Sequence, residues 1–297
     1  MARQFAFTAV LVAFFCSAVM GADPWIGKKV FWKVGARAMD GNKEINIELM
    51  PFPSTVEDVN GEWLWLGRAW LRTSDVLLPE QALDYYAENI RKNPLSAHGW
   101  RCRGAVWINI GESGNAIKDC TEAIRLNPKD DSAYNARGHA WGELGELDNA
   151  IKDFTEAIRI DPRFGKAYAN RGKAWKDKGE LDDAIQDYTE AIRLDPKNAA
   201  FYNASAWLSA TCPDEHIRDG KKAVANATTA CKLSLWKNGN NIDTLAAAYA
   251  EAGDFPNAIK CEERAIALTN DEKTKSKRGT HLDLFKAGKP FREEPKK

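Results

Sequence analysis

Residues 131–164 laid over 165–198 without a gap share 20 of 34 places, and 97–130 laid over 131–164 share 16. Self-similarity at this period makes each stretch one supersecondary unit that cannot bury its apolar face alone, so the units must stack into a solenoid. Each unit carries Arg-Gly-x-x-Trp, at Arg103-Gly104 with Trp107, Arg137-Gly138 with Trp141 and Arg171-Gly172 with Trp175. A glycine turn follows at Gly111, Gly145 or Gly179, then Ala-Ile-x-Asp-x-Thr-Glu-Ala-Ile-Arg, closed by Pro128, Pro162 or Pro196. The spacing predicts an A-helix, a turn and a B-helix per unit, with small residues on one helix facing bulky ones on the other. The three Trp read as core. The Asp and Glu that recur in each B-helix read as a solvated face rather than as acid/base pairs.

The pattern extends in weakened form on both sides. Residues 78–96 give a half unit, a B-helix from Gln81 toward Pro94 without an A-helix before it. Two irregular units, 199–237 and 238–270, follow the regular ones, with the first interrupted at Thr211-Cys212-Pro213-Asp214. Residues 271–297 read as a capping helix and polar tail, the helix carrying Leu282, Leu284 and Phe285 among many charges.

These residues resemble the tetratricopeptide repeat. The A-helix glycine, the aromatic three places on, the small Ala116, Ala150 and Ala184, the aromatic Phe154 and Tyr188 and the closing proline sit at that motif's spacing. Cys120 replaces the B-helix aromatic in the first unit, which predicts a more loosely packed helix pair there. The runs Leu208 to Asp214 and Leu245 to Phe255 resemble the C-terminal part of tetratricopeptide proteins of planctomycete-type bacteria. The resemblance covers about residues 78 to 290 and implies a mainly α fold, a right-handed superhelix whose concave face is lined by the second, fifth, ninth and twelfth places of each A-helix. In the regular units the polar side chains at those places are His98, Arg101, Ser132, Asn135, His139, Lys166, Lys173 and Lys176, with no acid among them. A concavity of one sign predicts an acidic partner segment, with His98, Arg101, Asn135, His139, Lys166, Lys173 and Lys176 as the binding groove. The family's clamp for a C-terminal carboxylate is not matched, since its places hold Arg101, Ala105, Ala136, Lys166 and Asn170.

Ahead of the array, in residues 23–77, the helical period disappears and β-branched or aromatic residues alternate with polar ones. Candidate strands are Lys29 to Lys33, Ile45 to Leu49, Thr55 to Val59, Trp63 to Leu66 and Ala69 to Leu71, with a hairpin turn at Asn60-Gly61. Five short strands predict a small closed barrel. Gly61 to Leu71 resembles the central hairpin of bacterial Src-homology-3-like domains. Alternation points Trp63 and Trp65 to one face, with core as the first reading and a ligand-stacking surface as the second.

Composition removes several classes of function. With 42 basic and 42 acidic side chains, no broad basic face for nucleic acid is expected. Residues 1–22 read as a secretory signal: Arg3, an apolar run from Phe5 to Met20, then Gly21 and Ala22. Cleavage implies a periplasmic or secreted chain without a membrane span, and retention implies an anchored one. Outside the cytoplasm, Cys212 and Cys231 read either as a disulfide or as two small buried thiols. No nucleophile elbow, phosphate loop, dinucleotide fingerprint or metal-ligand spacing is present in the sequence, so no catalytic residues, metal or cofactors are expected. The sequence therefore predicts an exported, non-enzymatic scaffold that binds a protein or peptide. The alternative is an envelope-anchoring module whose barrel holds a cell-wall peptide or glycan.

Overall fold

The computed structural model describes residues 25–34, 36–40, 43–45, 54–66 and 69–294. The chain divides after Gln81 into two compact units. The expected signal, residues 1–22, lies outside the described residues.

The first unit holds eight short strands among its described residues: β1 (Lys29–Trp32), β2 (Ala38–Asp40), β3 (Lys43–Ile45), β4 (Ser54–Thr55), β5 (Asp58–Asn60), β6 (Trp63–Trp65), β7 (Trp70–Arg72) and β8 (Val76–Leu77). They form two antiparallel sheets, ordered β4-β1-β8 and β3-β2-β7-β6-β5. Val30, Val56, Leu64, Leu71 and Val76 join both sheets to one core. Of the expected strand Ile45 to Leu49, Ile45 ends β3 and residues 46–49 lie outside the described residues, and β2 and β8 were not anticipated. The tryptophans overturn the core reading. Leu64 and Leu71 face each other inside, so alternation turns Trp63, Trp65 and Trp70 to the opposite, half-buried face. There the Trp65 and Trp70 rings lie 5.3 Å apart and Arg72 stacks 5.2 Å from the Trp63 ring.

The second unit is helical. After α1 (Pro79–Lys92) come α2 (Ala97–Asn109), α3 (Ser113–Leu126), α4 (Asp131–Glu143), α5 (Leu147–Ile160), α6 (Gly165–Lys178) and α7 (Leu181–Leu194), the three regular pairs. The irregular pairs are α8 (Ala199–Thr211) with α9 (Gly220–Leu233) and α10 (Gly239–Glu251) with α11 (Phe255–Ala267), and α12 (Glu272–Lys286) closes the stack. Ser96, Asp130, Asn198 and Asn238 cap A-helices by accepting backbone N–H groups that the first turn leaves unpaired. Gly111, Gly145, Gly179 and Gly253 turn each A-helix into its B-helix at φ between +79° and +93°, where a side chain would be strained. Successive A-helices approach one another more closely than successive B-helices do, so the array curves with its A-helices inside.

Two devices repeat in the regular pairs. A Cβ added at Gly104, Gly138 or Gly172 would stand 2.7, 2.8 or 3.0 Å from Cys120 Sγ, Phe154 Cε1 or Tyr188 Cε1, so glycine is what lets the helices close on these side chains. Cys120 is fully buried with its Sγ against the Gly104 site, while the facing Ala116 carbonyl stands 3.5 Å from that site against 3.1 and 3.2 Å for Ala150 and Ala184 in the other two pairs. The second device is a buried ion pair. Arg103, Arg137 and Arg171 donate fork-wise to Asp119, Asp153 and Asp187 at 2.7–2.8 Å. These carboxylates are 4% exposed, so the solvated-face reading fails for them. Each guanidinium also lies 5.0–5.7 Å from the ring of Trp100, Tyr134 or Tyr168. Arg137 and Arg171 reach across to Thr121 and Thr155 of the preceding pair, 3.1 Å each. The neighbouring Glu122–Arg125, Glu156–Arg159 and Glu190–Arg193 pairs do lie on the exposed side.

From α8 onward the packing changes to alanine, with Ala206, Ala210, Ala223, Ala227, Ala246 and Ala258 buried in one cluster. Cys231 belongs to that cluster, whereas Cys212 packs with Tyr188 and Leu208. The disulfide reading is thereby corrected: both thiols are buried and free, because they point into separate cores.

Gly138→Ala should destabilise the array by about 1–3 kcal/mol through overpacking. Gly142→Ala, whose nearest neighbour stands at 4.0 Å, should be neutral or stabilising because alanine is the better helix former. Asp153→Ala should cost about 2–3 kcal/mol by stranding Arg137 in a mostly buried place. Urea unfolding of the three variants measures these values.

Candidate peptide-binding surface

The residues expected to line the groove all lie on the inner helices α2, α4 and α6, and most engage polar partners. Arg101 donates to Asp130 at 3.1 Å and to His98 Nδ1 at 3.1 Å, while His98 Nε2 lies 3.3 Å from Cys102 Sγ. Asn170 donates to the buried Asn135 Oδ1 at 2.9 Å, tying α6 to α4. His139 and Lys173 border one shallow pocket with Asn170, Glu143 and Asp177, and Lys173 pairs with Asp177 at 3.5 Å. Lys166 is exposed. The concave face therefore keeps its cations but includes acids that helix-position counting did not reach.

Lys176 meets a carboxylate from far along the chain. After α12, Gly288 takes φ +67° and the chain doubles back across the inner helices. Lys176 Nζ lies 3.4 Å from both Glu293 carboxylate oxygens, and Trp207 Nε1 donates to Glu293 Oε1 at 2.7 Å. Glu293 N–H donates to the Thr211 carbonyl at 2.8 Å, satisfying an acceptor near the end of α8. Arg292 pairs with Glu251, which also takes Arg218 Nε at 3.2 Å. The Phe291 ring stands 4.2 Å from His281 and 5.9 Å from Trp207. The sequence reading passed over this segment as a polar tail; its signal was one aromatic residue directly before Arg292-Glu293-Glu294.

A second cluster also went unseen, because its members come from three helices with no shared spacing. Asp243 of α10, Glu262 of α11 and His281 of α12 bring donor atoms within 4.8 Å of one another. Such a donor set could hold a divalent metal. Within the cluster Asp243 and His281 satisfy each other, whereas both Glu262 carboxyl oxygens and His281 Nε2 are buried without a hydrogen-bond partner. Asp243 accepts from His281 Nδ1 at 3.1 Å, and burial, then Asp243, push the Glu262 carboxyl up to about 9. The nearby Arg278 opposes that rise and fastens α12 through the Ala265 carbonyl at 2.8 Å and Asn240 at 2.7 Å.

Residues 132–164 and 165–198 match the family model of the tetratricopeptide repeat. These are tetratricopeptide repeats. The fold is shared by solved structures at low sequence identity. The APC/C hetero-tetramer Cut9–Hcn1 superposes with a TM-score of 0.61 at 16% identity over 70% of this chain and 40% of that one. Yeast Tom70 gives 0.56 at 20% identity over 69% and 43%, and a thermophilic repeat protein from Thermus thermophilus gives 0.53 at 18% over 64% and 100%. This chain thus spans about two fifths of the length of the first of these structures. No curated protein matches the chain by sequence.

Glu262, protonated when folded, binds a proton that the unfolded chain releases near pH 4.5. Its contribution to stability is full below that pH and declines as the pH rises toward 9. Glu262→Gln should flatten the fall in unfolding free energy between pH 5 and 9, measured by denaturant titration across that range.

Proposed function

We propose that the chain is an exported, non-enzymatic scaffold whose concave tetratricopeptide face binds an acidic segment of a partner protein. The observation that carries this reading is the seating of Glu293 on Lys176 and Trp207: a carboxylate on an extended strand of chain, received by the inner helices. Lys166 and Lys173 continue the basic side of that surface along α6, and a concave wall of low dielectric concentrates their field on an approaching acid. Export rests on the signal-like residues 1–22, and kinship with planctomycete-type repeat proteins rests on the runs at 208–214 and 245–255.

A second reading attaches to the first unit, taken as a Src-homology-3-like barrel. Trp63, Trp65 and Trp70 on a half-exposed sheet face, with Arg72 beside them, suit stacking against a cell-wall glycan or peptide. On this reading the barrel anchors the protein in the envelope and the repeats hold the partner.

Replacing Lys166, Lys173 and Lys176 together by Glu should weaken co-purification of the natural partner and flatten its salt dependence. Retention of the full chain on purified cell wall, lost in Trp65→Ala/Trp70→Ala and kept in the lysine variant, marks anchoring by the barrel. N-terminal sequencing of the mature protein checks export, with a start at Ala22 or Asp23 as the expected result.

A further inference from the structure

We propose that Phe291–Glu293 is a resident ligand of the concave face, held in cis where a partner segment of the same chemistry docks: an aromatic residue, then a cation, then a carboxylate. The inference rests on the groove reading above and specifies both its ligand and its regulation. Three consecutive residues reach four inner helices. Phe291 stacks on His281 of α12 and Trp207 of α8, Arg292 pairs with Glu251 of α10, and Glu293 is held by Trp207 of α8 and Lys176 of α6. Its backbone N–H also pairs with α8 at the Thr211 carbonyl. An aromatic anchor, a charge pair and a main-chain hydrogen bond are what an extended peptide uses on a groove.

The grip is compact and its polar part is reachable by solvent. The Glu293 side chain keeps 32% of its surface exposed and Lys176 keeps 19%. A tethered segment needs little intrinsic affinity, because the short connection through Gly288 gives it an effective concentration in the millimolar range. A free segment competes by being longer. The tail runs from α12 toward α6, so a partner laid in the same direction and continuing past its carboxylate reaches the pocket between α4 and α6, where its acid competes with Asp177 for Lys173 beside His139 and Glu143. Further acidic residues after the aromatic–Arg–Glu core complete the ligand class. Partner binding then requires the tail to swing out about Gly288, and the unliganded groove is kept covered.

The test uses the full chain and a fluorescein-labelled peptide of residues 288–294 extended by four glutamates. Two changes open the groove. Phe291→Ala/Glu293→Ala removes the tail's own grip and leaves Lys176 and Trp207 in place. A twelve-residue Gly/Ser insertion after Gly288 keeps every contacting residue and lowers only the effective concentration of the tail. Fluorescence anisotropy should show both binding the peptide at least about tenfold tighter than the unaltered chain. Adding Lys176→Glu to the insertion variant should remove that gain. An insertion variant that binds no tighter, or that loses its fold, overturns the proposal, since the tail is then a fixed part of the array. The double substitution is read only if its melting transition persists, and the insertion decides otherwise. Partner co-purification that still depends on the three lysines, with no gain on opening, defeats the resident-ligand inference alone. Co-purification indifferent to those lysines defeats the groove reading beneath it.

Discussion

A guanidinium gripped by a buried carboxylate sets the geometry of the regular repeats. Burying Asp119, Asp153 or Asp187 is costly unless both oxygens are satisfied, and a fork-shaped donor does so only from one position on the facing helix. The pair therefore fixes the rotation of each A-helix against its B-helix, while glycine under the Cys120, Phe154 or Tyr188 side chain fixes their separation. Apolar burial supplies most of the attraction but tolerates rotation and sliding; these two contacts do not. With rotation fixed, every A-helix turns the same side inward, and that is why positions 98, 101, 135, 139, 166, 173 and 176 come to share a face.

Much of this was legible from the period of the sequence. Helix order, turn glycines and the paired-helix face follow from spacing within one unit, and these stand in the structure. What failed were contacts between residues far apart in the period. Asp153 looked like part of a solvated face because its neighbours Lys152 and Glu156 are polar, yet its partner Arg137 lies one helix earlier. Alternation placed Trp63 and Trp65 on one face without fixing which face is inward, and the inward face of these short strands is filled by Leu64 and Leu71.

The groove shows the same limit. Counting helix places found its cations but missed Glu293, more than a hundred residues from Lys176 in the chain, and missed Asp130 and Asp177 because they sit just off the counted places. The Asp243, Glu262 and His281 cluster was invisible for a related reason. Each residue looks ordinary on its own helix, and only the stacking of α12 on the last irregular pair turns three scattered polar side chains into one buried group.

The inter-pair stitch from Arg137 to Thr121 and from Arg171 to Thr155 ends at the next junction. Ser205 stands where another arginine would, and the Thr189 hydroxyl turns back to the Ile185 carbonyl of its own helix. Tyr188, Leu208 and Cys212 hold α7 to α8 there, through contacts that resist separation better than they resist shear. Glu293 bridges Lys176 on one side of this junction and Trp207 on the other. The tail thus acts as a brace across the inner curve at the junction between the regular and irregular pairs, where the repeating Arg–Thr stitch is missing.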